Sequence, residues 1–177
     1  MDPNETPKPL RLLQLPTDLQ NDMVRNMDFL AVFHLSTFRA FRKSPNRRTY
    51  WTEIRLKLKK ESETDYIRVV KNETLDERIL LNRDAVAREH RVGDKLIVEH
   101  SVTDLAKKIK GKYEDPREHV LRHLLQVFQF KRKTLECKRV VHEQNDSFLW
   151  NIIPKFEFVY LSGGSIWLNE YRVANKY

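Results

Sequence analysis

The chain has 177 residues, 40% of them hydrophobic and 33% charged, with a formal net charge of +8. That length fits one domain, or a small module plus a modest one, and no run reaches the roughly 18 apolar residues that read as a membrane-spanning helix. A lone cysteine, Cys137, excludes an internal disulfide, and the acidic, proline-bearing start is wrong for a secretory signal, so the chain reads as cytoplasmic and/or nuclear.

Residues 1–9 hold three prolines and few apolar groups and read as a disordered tail. In "LPTDLQNDMVRNMD", Thr17 is placed as an N-cap, with Gln20 completing a capping box and Asp18 in the first turn, where the helix dipole favours an acid. Pro16 lies just outside, where its missing N–H is no loss, and Leu19, Met23, Val24 and Met27 follow at helical spacing. Asp28 can cap a second short helix, "FLAVFHL", and Ser36 a third, "TFRAFRK", which ends before the turn "SPN" at 44–46.

The period then changes. In "TYWTEIRLKL", Tyr50, Thr52, Ile54, Leu56 and Leu58 alternate with Trp51, Glu53, Arg55, Lys57 and Lys59, the pattern of a half-buried strand. "YIRVV" (66–70) and "KLIVEH" (95–100) are further strands, whereas "ETLDERILLNRDAVAREH" between them is ambiguous, with strand slightly preferred over helix. "DPREHVLRHLLQVFQF" is a helix with Asp115 as cap, Pro116 at its first position and Glu118 closing a box; Val120, Leu121, Leu124, Leu125, Val127 and Phe128 form its buried stripe. "TLECKRVV" (134–141) and "KFEFVYLSG" (155–163) return to strand character, the latter ending in a Gly-Gly turn. This order suggests α/β units side by side, with no visible repeat period.

Little in the chain asks for chemistry. His119 and His123 share a spacing able to hold a metal, but Val120 stands where the zinc-protease motif needs Glu, and His119 reads as solvated together with Glu118. Cys137 sits in a strand pattern with no His nearby to activate it and reads as a buried thiol. "SGGS" at 162–165 is too short for a phosphate-binding loop. No catalytic residue, cofactor or metal site is expected.

What does stand out is apolar surplus. Between positions 10 and 41, seventeen residues are apolar, in a segment too short to stabilise itself by its own core. A greasy patch of several hundred Å² usually marks an interface, and covering about 600 Å² at about 25 cal/mol per Å² would favour association by about 15 kcal/mol before its costs.

On these residues the chain resembles the F-box family. Leu15, Pro16, Leu19, Met23, Val24, Met27 and Asp28 match the family's signature, and "FLAVFHLSTFRAFRK" is similar to its second and third helices, in a style closest to the large nematode set. Arg39 departs from the pattern, standing where the family commonly carries a small residue such as Ser. "HVLRHLLQVFQFKRKTLEC" and "IPKFEFVYLSGGS" resemble parts of the F-box-associated region of the same proteins. The resemblance implies an α+β fold: a three-helix F-box over 10–45, then a small mixed α/β region over 46–177 with strands and one long amphipathic helix. It also implies a substrate-receptor or adaptor subunit of an SCF-type ubiquitin ligase, without enzymatic activity of its own. Its docking residues on a Skp-family adaptor, and through it on a cullin and RING protein, would be Leu15, Pro16, Leu19, Met23, Met27 and Leu30, with an unknown protein substrate held by the C-terminal region.

The runner-up is a basic nucleic-acid-binding protein with a helical N-terminal module, suggested by nine basic residues against one acid over 36–60. It is disfavoured, because Phe38, Ala40 and Phe41 interrupt the third helix's exposed face and no base-reading Asn or Gln accompanies the arginines.

Overall fold

A computed structural model describes residues 14–38, 52–60, 63–71, 75–110, 115–139, 146–152 and 155–161. The tail over 1–9, most of the third helix and the Gly-Gly turn therefore lie outside the described residues. The chain divides into two compact units, Met1–Arg48 and Thr49–Tyr177.

In the first unit, α1 (Thr17–Asn26) starts on Pro16 rather than on Thr17, and no side chain caps it. The expected capping box is absent: Gln20 Nε2 instead donates to the Leu15 carbonyl at 2.7 Å, tying the incoming chain to the first turn. Met27 turns extended and ends the helix. Asp28 then caps α2 (Phe29–Ser36) as expected, accepting from the Ala31 amide at 2.7 Å. Phe29, Val32 and Phe33 are fully buried, the two rings tilted against each other at 5.7 Å, one helical turn apart. The helix expected after Ser36 falls mostly outside the described residues. Ser36 closes α2, and its hydroxyl donates to the Phe33 carbonyl at 2.6 Å.

Among its described residues the second unit holds one seven-stranded mixed sheet, made of β1 (Glu53–Leu58), β2 (Tyr66–Val70), β3 (Leu75–Leu80), β4 (Arg88–Val92), β5 (Lys95–Ser101), β6 (Arg132–Cys137) and β7 (Phe158–Leu161). Its order is β4-β5-β3-β2-β1-β6-β7. The centre is an antiparallel meander, β1-β2-β3, flanked by parallel partners: β5 beside β3, and β6 then β7 beside β1. β4 and β5 form a hairpin whose turn uses Gly93 at φ +59°, a conformation that glycine adopts without a Cβ clash. This corrects the expected α+β arrangement. The molecule is a mixed α/β protein built on a seven-stranded sheet, not a three-helix module trailed by a small region. Long-range pairing causes the difference, since β1 bonds to β6 across most of the unit and gathers the described strands into one layer.

Helices α3 (Val102–Lys108) and α4 (Pro116–Val127) carry the chain from β5 to β6, past three intervening strands, a span of about 19 Å at the usual strand spacing. The α3 helix was not expected from sequence; Ser101, the last residue of β5, caps it through the Asp104 amide. Asp115 caps α4 through the Arg117 amide, but Glu118 closes no box and instead accepts from Arg122 Nε at 2.7 Å. Val102, Leu105, Val120, Leu121, Leu124 and Val127 are buried on these helices, while Leu125 of the expected stripe is only half-buried. On one face of the sheet Ile54, Leu56, Leu58, Ile67, Val69, Ile79, Leu135 and Cys137 are completely buried. Within this unit's described residues, that face is the apolar surface the helical stripes have to cover. A short α5 (Ser147–Trp150) precedes β7. Near it Arg139 binds Asp146 at 2.6 and 2.8 Å and Asp65 at 2.6 Å, clasping the end of β6 to the approach to β2.

Candidate functional site

The residues singled out for docking lie on and around α1. One turn of helix separates Leu19 from Met23, so the two stand about 40° apart on the helix wheel, whereas Val24 is rotated by a further 100° or so. That rotation divides the helix. Val24 is buried; Leu19 is 52% exposed, Pro16 is exposed, and Leu15, Met23, Met27 and Leu30 are half-buried. The buried side chains Val24, Phe29, Val32 and Phe33 thus form an inner set, and the six candidate residues stay at or near the surface. Position in the helix decides this, because all of these side chains are apolar and would otherwise be buried equally. Asp28 fixes the corner between α1 and α2 and so sets Leu30 relative to Met27.

The other residues weighed for chemistry resolve differently. His119 and His123 are not solvated: they are 6% and 4% exposed, and burial lowers the pKa of His119. Among the described residues no three potential ligands gather into a metal site. The Cys137 thiol is fully buried, its Sγ 2.9 Å from the Arg139 carbonyl, and burial raises its pKa, which is the opposite of an activated thiolate. The segment 162–165 lies outside the described residues. His100 and Glu77 meet on the apolar face of the sheet, Nε2 to Oε2 at 2.6 Å, a buried polar pair that no sequence spacing announces.

Sequence reasoning also missed the opposite face of the sheet. Register places Arg55 beside Arg68, Arg68 beside Arg78, Arg78 beside Glu99, and Glu99 beside Arg88. On the other side of Arg55 the same row continues through Thr134 to Phe158. Asp76 accepts from Arg68 at 2.8 Å and from Arg78 at 2.9 Å, Glu53 takes Arg55 in a fork, Arg88 pairs with Glu99, and Lys57 reaches Glu136 at 3.1 Å. These cations hold the Asp76 and Glu136 carboxyls below the usual range despite the opposing desolvation. The alternation in β1 does signal a polar face, but only the pairing register lines up its arginines with those of β2 and β3.

The chain matches no protein-family model, no curated protein and no solved structure. Among the described residues, no helix is long and apolar enough to cross a membrane.

Proposed function

We propose that this chain is a substrate-receptor or adaptor subunit of an SCF-type ubiquitin ligase. The first unit docks on a Skp-family adaptor through Leu15, Pro16, Leu19, Met23, Met27 and Leu30, and the second unit presents a protein substrate. The observation that supports it is the division of the opening helices: Val24, Phe29, Val32 and Phe33 are buried while Leu19 and its neighbours remain accessible, next to a Leu-Pro pair that resembles the F-box signature. An apolar surface that a protein keeps in water is a surface for something else to cover. In this reading the chain contributes geometry and no catalytic group; ubiquitin transfer belongs to the cullin and RING partners, in the cytoplasm or nucleus.

The test is co-purification with a Skp-family adaptor. Wild type should bind and hold at high salt, since the contact is mostly apolar, whereas a phosphate-driven contact weakens steeply. Replacing Leu15 and Pro16 by Ala, or Leu19 and Met23 by Ala, should lower adaptor affinity by at least tenfold with an unchanged melting temperature. Association that survives both pairs of substitutions overturns the assignment.

A further inference from the structure

We propose that the polar face of the seven-stranded sheet binds single-stranded nucleic acid along its arginine row. This goes beyond the docking reading, since it concerns the second unit and a partner of a different class.

Three observations carry it. The first is the row itself. Arg55, Arg68 and Arg78 stand directly opposite one another on three adjacent strands, with Arg88 two strands further on. Like charges placed opposite across a sheet repel, and here acids interleaved with the arginines relieve that repulsion and leave a row of guanidinium groups, whose planar fork suits a phosphate.

The second is depth. The carboxylates that neutralise the row lie beneath it: Asp76 and Glu99 are 8% and 4% exposed, against 22%, 23% and 68% for Arg68, Arg78 and Arg88. Each of these arginines is therefore more exposed than the acid it pairs with. Four arginines are set against Asp76, Glu99, Glu53 and Glu136, and Lys57, Lys95 and Arg132 on the same face tip its balance positive. The buried acids also hold the guanidinium groups in place, which lowers the entropy lost on binding.

The third is a pair of rings. Phe158 ends the row on β7, and Tyr160 follows two residues on, on the same face and roughly 6.6 Å further along the strand. They are 43% and 59% exposed, and Arg132 lies 5.4 Å from the Phe158 ring centre. Exposed rings beside a cationic track are what sequence-tolerant single-strand binders use, bases stacking on the rings while phosphates meet the cations. An acidic polypeptide would account for the arginines and leave the two rings unexplained. Across seven strands the row runs about 29 Å, room for about four nucleotides, the short end of known site sizes.

The test is fluorescence anisotropy with the full-length chain and labelled oligo-U and oligo-dT of about ten nucleotides. Saturable binding to at least one of them, weakening steeply with salt, is expected. Phe158→Ala with Tyr160→Ala should weaken it about tenfold. Arg88→Glu, at an exposed site whose Glu99 partner keeps Arg78, should weaken it severalfold. Should the double ring variant lose its native circular dichroism, Tyr160→Leu alone replaces it. Lys107→Glu on α3 alters the same kind of charge away from the sheet and should leave binding within about twofold. No saturable binding to either oligonucleotide at low salt overturns the proposal, and so does an equal loss with Lys107→Glu. A poly-glutamate peptide that binds as tightly as the oligonucleotides would overturn it too, and would assign the face to an acidic polypeptide. None of these substitutions touches α1 or α2, so adaptor association reads out separately.

Discussion

Helix α1 and strand β1 are both amphipathic, yet they use their apolar residues in opposite ways. In β1 every second side chain, Ile54, Leu56 and Leu58, is sealed from water. In α1 only Val24 is sealed, and Leu19 stands more than half in solvent. The difference teaches that apolar patterning identifies an element without saying what its apolar face is for. One face is closed into a core, and the other keeps its apolar side chains at the surface.

Substitutions can break or sharpen this contrast. The largest expected effect lies in the sheet: Leu56→Ala should lower unfolding free energy by about 3 kcal/mol in a denaturant titration, from lost transfer energy plus the cavity left behind. Arg139→Leu should cost a similar about 3 kcal/mol, because Asp146 is almost fully buried and would lose the guanidinium that binds both its carboxylate oxygens. Asp28→Ala should cost about 1 kcal/mol by removing the cap of α2, and it should weaken adaptor association as the corner carrying Leu30 loosens.

A pH titration addresses the buried histidine. Burial lowers the folded-state pKa of His119 below its ordinary 6.5, so on acidification the unfolded chain takes up the proton first. Stability should therefore fall as pH drops through 6.5 and level off below the folded pKa, and His119→Gln should flatten part of that fall in a melting-temperature series. The smallest effect is expected at Leu19, where replacement by Ala should change unfolding free energy by less than about 0.5 kcal/mol while reducing adaptor binding. A loss of 2 kcal/mol there would mean that α1 uses its outer face for folding, and the contrast with β1 would vanish.

Much of the local structure was legible in the sequence because its causes are local. The alternation of β1 has period two within a few residues; Asp28 and Asp115 act on amides two or three positions away; the α4 stripe repeats at helical spacing. Local signals also misled. Thr17 with Gln20, and Asp115 with Glu118, have the spacing of capping boxes, yet Gln20 reaches back to Leu15 and Glu118 turns to Arg122, each a competing partner of equal reach. His119 was expected in solvent as a polar residue beside Glu118, and the fold buries it. The seven-residue α3, "VTDLAKK", follows β5 without a break and is too short for its period to register.

By itself, the sequence determined which segments alternate, which helices are capped by Asp28 and Asp115, and that the first 40 or so residues hold more apolar side chains than so short a segment can bury. Tertiary structure alone decided that seven strands form one sheet, that β1 pairs with β6 and β3 with β5, and that arginines from β1, β2 and β3 share a row. The reason is physical. A cap or a period acts through neighbours a few residues away, whereas strand register follows from the buried faces of partners far along the chain, and a slip of one residue would send every arginine in the row to the other side.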